Sequence, residues 1–230
     1  MSEEKARDFV KYTFFKVDPA WGKRSTDERE RDKEELAAVV EELSTATLVN
    51  CYSLTATRGD ADFMLWKVSP SVEMLEGLLG GIRRSSIGAY LQTPYSYFAL
   101  THPSPYVSEH THPGQELTGA IKPLGMPYLF IYPFTKTHQW YQLSREERQR
   151  LMNEHFTIGH RFPTIKIHTT YSFGLDDQEF VLGFEAENPS DFLELVMALR
   201  QQEQRPYTLL DTPIFTCVRK PLRQCLDLLG

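Results

Sequence analysis

The sequence has few cysteines, and their arrangement suits neither a metal site nor a disulfide framework. Only Cys51, Cys217 and Cys225 occur in 230 residues, and none belongs to a C-x-x-C pair. Three scattered thiols fit a reducing compartment. The first ten residues, MSEEKARDFV, lack the apolar core of a secretory signal. We therefore expect a cytoplasmic protein.

Long apolar runs and excess positive charge are also missing. No stretch approaches the roughly 18 consecutive apolar residues of a transmembrane helix, so no membrane span is expected. Lys and Arg number 25 against 31 Asp and Glu, which gives a net charge of −6. This balance argues against a broad nucleic-acid footprint. Nucleotide-binding glycine loops and the motifs of triad hydrolases are absent as well.

The chain contains a weak internal repeat at about half its length. The segment DADFMLW (60–66) resembles DQEFVLG (177–183), which lies 117 residues later. Each segment is followed by a Pro-Ser step and an amphipathic stretch. Matched order at half-length indicates duplication of one supersecondary unit. Chance similarity of two strand-turn-helix segments is the alternative.

The predicted elements follow the β-α-β-β-α-β order of a ferredoxin-like unit twice. The first set comprises strands at 10–17, 47–55, 62–68 and 95–101 and helices at 25–43 and 71–87. A connector rich in Pro, His and Gly follows at 102–127. The second set comprises strands at 128–136, 165–173, 179–185 and 207–217 and helices at 145–159 and 190–204. We expect an α+β fold of two ferredoxin-like halves, 1–113 and 114–230, forming an antiparallel α+β barrel with its helices outside.

His155 is the first candidate for chemistry. The capping box Ser144-x-x-Glu147 predicts the start of a helix. His155 follows Leu151 by four residues and Met152 by three, so it shares their apolar face. A buried imidazole needs partners for its nitrogens. Two interpretations stay open: a core histidine bonded to a carbonyl, or an axial ligand of haem iron.

Two predicted strands carry further candidates. Side chains alternate along a strand, so Phe130, Tyr132, Phe134 and Lys136 share one face. Such a face suits a flat anionic ligand, although an aromatic core stripe ending in a lysine would look the same. On the strand at 165–173, the odd positions are apolar, and His168 is expected to face solvent or an interface.

Longer motifs resemble the chlorite dismutase-like haem proteins. They are YPFTK (132–136), WYQLSREER (140–148), the Glu-His pair at 154–155, YSFGLDDQEF (171–180) and, in the first half, RGDADFMLW (58–66). The resemblance covers nearly the whole chain and is weakest over the connector. Two main activities occur in this family: chlorite dismutation and the decarboxylation of coproheme to haem b.

The resemblance implies a haem-type porphyrin in the C-terminal half, with His155 as the proximal iron ligand. Fe-coproporphyrin III would be both substrate and cofactor, and hydrogen peroxide the oxidant. Tyr132 would relay a radical and Lys136 would hold a propionate. The 23 residues from Tyr132 to His155 match the family spacing. The cofactor-binding residues would be Tyr132, Pro133, Phe134, Thr135, Lys136 and Ile167. Many members are homopentamers.

Ile167 occupies the distal position implied by the resemblance. Chlorite-degrading members carry arginine there, and isoleucine offers no charge to stabilise an oxyanion. In one decarboxylase branch an upstream histidine serves as distal base; here that position is Gln115, and His110 or His112 could replace it. The resemblance therefore favours a coproheme decarboxylase. The alternatives are a haem-binding or haem-transfer protein, a chlorite-detoxifying enzyme and a haem-free member.

Overall fold

The computed structural model describes residues 7–106 and 121–230. Its strands are β1 (Phe9–Val17), β2 (Leu48–Ser53), β3 (Phe63–Ser69), β4 (Leu91–Leu100), β5 (Tyr128–Lys136), β6 (Ile165–Tyr171), β7 (Phe180–Ala186), β8 (Thr208–Leu210) and β9 (Phe215–Arg219). Its helices are α1 (Thr26–Leu43), α2 (Val72–Arg84), α3 (His138–Gln142), α4 (Arg145–Gly159), α5 (Pro189–Leu199) and α6 (Leu222–Asp227). None of the helices in these ranges combines the length and hydropathy that a bilayer span requires.

The chain divides into two compact units. The first comprises residues 1–100 and 216–230, and the second comprises residues 101–215. The boundary expected between residues 113 and 114 falls among residues that the structure does not describe. The predicted α+β class is confirmed, because each unit combines an antiparallel sheet with helices.

Both units have the strand order of a ferredoxin-like sheet. In the first unit the order is β4-β1-β3-β2, extended by β9 at the β2 edge. In the second unit the order is β6-β7-β5-β8. When the four strands of each unit are numbered 1 to 4 along the chain, the first sheet reads 4-1-3-2. The second reads 2-3-1-4, which is the same order taken from the other edge. The predicted duplication therefore extends to topology.

Equivalent carboxylates terminate equivalent strands in the two units. Asp62 Oδ2 accepts the backbone N–H of Val17 at the end of β1, over 2.8 Å. Glu179 Oε2 accepts the backbone N–H of Lys136 at the end of β5, also over 2.8 Å. Asp62 and Glu179 are the residues that the repeat places 117 apart. The repeated motif thus has a physical role, since it satisfies a backbone donor that a strand end would leave unpaired.

The two units differ in the side chains that lie between the sheet and the long helix, which is α1 in the first unit and α4 in the second. Ser25 caps α1 and Ser144 caps α4, 119 residues apart. At the same offset, His155 corresponds to Leu36, which is 1% exposed within the apolar core of the first unit. Lys136 likewise corresponds to Val17, a member of the same core. The first unit therefore fills with aliphatic side chains the positions that carry ionisable groups in the second.

The predicted last strand, 207–217, is wrong as a single element. The structure has two short strands there, β8 and β9, separated by a turn at residues 211–214. The sequence Asp-Thr-Pro at 211–213 supplies the turn, because proline cannot donate to a strand ladder. The short helices α3 and α6 are additional to the predicted elements. Helix α2 ends at Arg84 rather than at residue 87.

Candidate active site

The Tyr132 face of the second sheet is covered by helices α4 and α5. The side chains of β5 that alternate onto this face are Phe130, Tyr132, Phe134 and Lys136. Phe130 stacks on Phe192 of α5, with 4.0 Å between ring centroids. Ile158 of α4 packs against the same cluster. His155 lies three residues before Ile158, so α4 presents both toward the same side.

Register places Ile167 on this face and His168 on the other. Ile167 pairs with Phe184, which pairs with Phe130 across β7 and β5. Ile167 packs, partly buried, against the same apolar cluster. Ile167, the residue at the expected distal position, therefore turns an uncharged side chain toward the site. Pro133 and Thr135 alternate to the opposite face of β5, so their side chains point away from the Tyr132 face.

His155 is held by two glutamines from the turn after α5. Its Nδ1 lies 3.3 Å from Oε1 of Gln202 and 2.5 Å from Nε2 of Gln204. Burial lowers the pKa of His155 to about 4, with the Gln202 hydrogen bond opposing this and Lys136 reinforcing it. The imidazole is therefore neutral at pH 7. When Nδ1–H donates to Oε1 of Gln202, Nε2 carries the lone pair, and no described residue hydrogen-bonds to it, which leaves that nitrogen available to a metal.

Lys136 is buried against aromatic rings at the end of β5. It is 9% exposed, and its Nζ lies 4.2 Å from the centroid of Trp140. The same nitrogen donates to Oε1 of Gln204 over 3.3 Å. Burial lowers the pKa of Lys136 to about 8, while Glu179 acts to raise it. Trp140 thus packs against the amine.

Tyr132 is 8% exposed and stacks on Phe184, with ring centroids 5.7 Å apart and planes 13° from parallel. Burial raises the pKa of Tyr132, and the negative charge of Asp211 raises it further. Arg200 and Arg205 act in the opposite direction. The phenol is therefore neutral at physiological pH, and three charged side chains influence its hydroxyl group.

Those charged side chains form one ion-pair cluster. Asp211 Oδ2 accepts hydrogen bonds from Arg200 Nη1 and from Arg205 Nη1, the latter over 2.9 Å. One carboxylate between two guanidinium groups leaves a net positive charge. Sequence reasoning missed Arg200, Gln202, Gln204 and Asp211. The sequence after α5 gave little indication of a site, because a polar run after an apolar helix ordinarily marks a turn.

The expectation that His168 faces solvent is wrong. His168 is 4% exposed, and its Nε2 lies 2.7 Å from Oε2 of Glu185, which is fully buried. Glu185 also accepts the backbone N–H groups of Leu124 and Gly125, each over 2.8 Å. Both faces of β6 are thus covered, so strict alternation did not separate core from solvent. His110, His112 and Gln115 lie outside the described residues.

These residues fit an iron porphyrin. A neutral imidazole with an uncommitted Nε2 is the usual protein ligand of haem iron. The flat aromatic and aliphatic face suits the macrocycle, and the cations Lys136, Arg200 and Arg205 suit its carboxylates. Among the described residues no cluster of three His, Cys, Asp or Glu side chains could hold a bare metal ion. A single histidine on an apolar face suits a metal whose other ligands come from a macrocycle.

Comparison with known proteins identifies the relatives of this chain. The chlorite dismutase family model matches residues 29–220. The chain is 31% identical over 166 residues to a coproheme decarboxylase of Mycolicibacterium smegmatis, covering 72% of this chain and 70% of that protein. A coproheme decarboxylase of Staphylococcus carnosus is 31% identical over 164 residues, covering 66% and 65%. The chlorite dismutase of Ideonella dechloratans is 25% identical over 203 residues, covering 86% and 71%.

Solved structures extend the likeness to the fold. A mutant chlorite dismutase from Candidatus Nitrospira defluvii superposes with a TM-score of 0.88 at 25% identity, covering 97% of this chain and 95% of that one. The predicted duplicated ferredoxin-like fold is confirmed by this match. The relatives are enzymes by name, and they confirm the expectation of an oxidoreductase. The family match spans well over half of the sequence, and the chain therefore belongs to the chlorite dismutase family.

Proposed function

We propose that this protein is a coproheme decarboxylase, which converts two propionates of Fe-coproporphyrin III to vinyl groups with hydrogen peroxide. The observation that carries the proposal is the grouping of Tyr132 and Lys136 on the sheet face beside His155. A redox-active phenol, a carboxylate-binding amine and an iron ligand are the three groups that this reaction requires. The similarity to the mycobacterial and staphylococcal decarboxylases supports it.

The overall reaction balances for each propionate. One propionic acid side chain and one hydrogen peroxide give one vinyl group, one carbon dioxide and two waters. The side chain loses two electrons and peroxide gains them. A bound iron porphyrin would supply the centre that reacts with peroxide and withdraws these electrons one at a time.

Tyr132 would be the electron relay. Its buried phenol is neutral, so it loses an electron and a proton together and does not release the proton in advance. The resulting phenoxyl recovers a hydrogen atom from the β-carbon of a propionate, and loss of a second electron releases carbon dioxide. Stacking on Phe184 fixes the ring during these steps.

Lys136, Arg200 and Arg205 would bind the carboxylates. Coproheme carries four propionates, so more than one cation is needed. A propionate reaching Arg200 or Arg205 would compete with Asp211 for a guanidinium group already in the site. Bidentate pairing with carboxylates is what makes arginine suited to this task.

Ile167 disfavours chlorite dismutation as the function. Stabilising a bound chlorine oxyanion requires a hydrogen-bond donor or a positive charge at the distal face. The side chain there is aliphatic and packs in the apolar cluster. His110 or His112 remains the predicted source of a distal base.

The first experiment mixes purified protein with coproheme, adds hydrogen peroxide and follows porphyrin mass. We expect conversion to haem b, with the Tyr132→Phe variant as the matched control. Binding without any change of mass would indicate a haem-binding or haem-transfer protein. Oxygen release on addition of chlorite would indicate a detoxifying enzyme, and no Soret band on adding coproheme would indicate a haem-free member.

Location and assembly belong to the same proposal. The family resemblance predicts a homopentamer, and the few scattered cysteines predict a cytoplasmic location. Light scattering of the purified protein measures its oligomer mass directly, and cell fractionation tests the location.

A further inference from the structure

Two cysteine side chains in the first unit lie against each other. Sγ of Cys51, on β2, is 3.5 Å from Sγ of Cys225, on α6. Cys225 is 1% exposed within the apolar core, and Cys51 is partly buried at its edge. The residues are 174 positions apart in sequence, so only the fold brings them together.

Backbone contacts hold this arrangement in place. The N–H of Lys220 donates to the carbonyl of Cys51 over 3.2 Å, which connects β2 to the turn before α6. The N–H of Cys225 donates to the carbonyl of Pro221 over 3.1 Å. Leu226 is fully buried beside Cys225 and anchors α6 in the core. The two sulfur atoms therefore need only a small side-chain movement to reach bonding distance.

We propose that Cys51 and Cys225 are a modification site, at which hydrogen peroxide converts the thiol pair to a disulfide that fastens the C-terminal helix to β2. This goes beyond the proposed function. It requires peroxide, which the proposed enzyme consumes, but neither porphyrin binding nor turnover.

The chemistry has two steps. The Cys51 thiolate attacks peroxide, giving a sulfenic acid and hydroxide, which takes up the proton that the thiol released. The Cys225 thiol then attacks that sulfur, forming the S–S bond and releasing water. In total, two thiols and one peroxide give one disulfide and two waters. The adjacent second thiol captures the sulfenic acid before further oxidation can occur.

Burial sets the rate of the first step. It raises the pKa of the Cys51 thiol well above its ordinary value, so little thiolate is present at neutral pH. The pair is therefore a slow site, which forms under sustained peroxide and does not sense brief pulses. The finished bond would close a long loop, and long loops give the larger stabilisation in the chain-entropy description.

The test uses the full chain without porphyrin. After incubation with hydrogen peroxide, the cysteines that remain as free thiols are alkylated. The masses of the intact protein and of its peptides are then measured. We expect loss of two hydrogen masses, a cross-linked peptide pair containing Cys51 and Cys225, and recovery of both thiols with dithiothreitol. The oxidised protein should unfold at a higher temperature than the reduced protein.

Cys217 provides the matched control, since it is fully buried on β9 in the same unit. The Cys217→Ser variant should form the same disulfide, whereas Cys51→Ser and Cys225→Ser should not. The peptide map of the wild-type chain decides the matter if a variant fails to fold. Unreacted thiols, a disulfide that includes Cys217, or sulfinic acid at Cys51 would overturn the proposal, whatever the outcome with coproheme.

Discussion

Lys136 and His155 lie at opposite ends of a single side-chain amide. Oε1 of Gln204 accepts from Nζ of Lys136 over 3.3 Å, and Nε2 of Gln204 lies 2.5 Å from Nδ1 of His155. Gln204 is 8% exposed, so this bridge is largely shielded from water. The amine expected to hold a propionate and the imidazole expected to hold iron are therefore coupled through a neutral group.

Replacing that neutral group with a carboxylate should change the iron's preference between oxidation states. In Gln204→Glu, a carboxylate oxygen would accept strongly from the imidazole N–H and make the ligand more electron-donating. We expect the midpoint potential of the haem complex to fall by about 50 mV. For a one-electron couple, about 59 mV corresponds to a tenfold change in the ratio of the protein's affinities for the ferric and ferrous forms. Spectroelectrochemistry measures it, and Gln204→Leu should not shift it downward. An unchanged potential in Gln204→Glu would show that the residue does not act on His155.

Removing the Tyr132 hydroxyl should separate binding from chemistry. Tyr132→Phe keeps the ring stacked on Phe184, so the affinity for coproheme should change less than threefold. Decarboxylation should fall at least about 100-fold, which corresponds to about 2.7 kcal/mol of barrier. Tyr128→Phe, on the same strand and face, should retain activity. A Tyr132→Phe enzyme that turns over normally would exclude the relay.

Affinity for coproheme should weaken as the pH rises through 8. The pKa of Lys136 is lowered to about 8, so its amine is charged below that pH and neutral above it. A neutral amine cannot pair with a carboxylate, whereas the arginines stay charged. Soret titrations at pH 7 and pH 9 should show weaker binding at pH 9 for the wild type. Lys136→Met should bind coproheme more weakly at pH 7 and should show no further loss of affinity at pH 9. If the variant still loses affinity between pH 7 and pH 9, Lys136 is not the group that titrates.

His155 should make the folded state less stable in acid. Its pKa is lowered to about 4 in the folded protein and is 6.5 in an unfolded chain. Between these values the unfolded chain binds more protons, so stability falls as the pH drops from about 6.5 to 4. The loss is at most about 3 kcal/mol. Urea unfolding at pH 6.5 and pH 4.5 measures it, and His155→Gln should lose less stability over this window than the wild type.

Glu185 should be a major stability determinant of the second unit. Burial acts to raise its pKa, but the hydrogen bond from His168 and those from two backbone amides outweigh burial and lower it. Glu185→Leu removes the acceptor for all of these donors. We expect a loss of about 3 kcal/mol, measured by urea unfolding at pH 7. The exposed Glu187→Leu is the matched control and should change stability little; equal effects would refute this role.

Local rules predicted most of the secondary structure. Helix α4 and strand β5 begin and end at the predicted residues, because capping and alternation are set by residues close in sequence. Asn188 caps α5 with Pro189 in its first turn, which follows the general preference for proline at the first helical position. The last strand was misread because its apolar residues outweighed the Asp-Thr-Pro turn signal within it.

The site was only partly readable from the sequence. Tyr132 and Lys136 were placed on one face because alternation along a strand is local. Gln204 and Arg200 were missed, since they come from a turn whose position depends on how α5 packs on the sheet. His168 was misplaced for a similar reason: the backbone that precedes β5 covers the second face of its strand through Glu185.

Stepwise oxidation of bound coproheme would test the proposed reaction most directly. One equivalent of peroxide should give a porphyrin with three propionates, and a second equivalent should give haem b, with one carbon dioxide released at each step. Tyr132→Phe should leave the porphyrin mass unchanged. Peroxide consumption with an intact four-propionate porphyrin in the wild type would contradict the proposed decarboxylation.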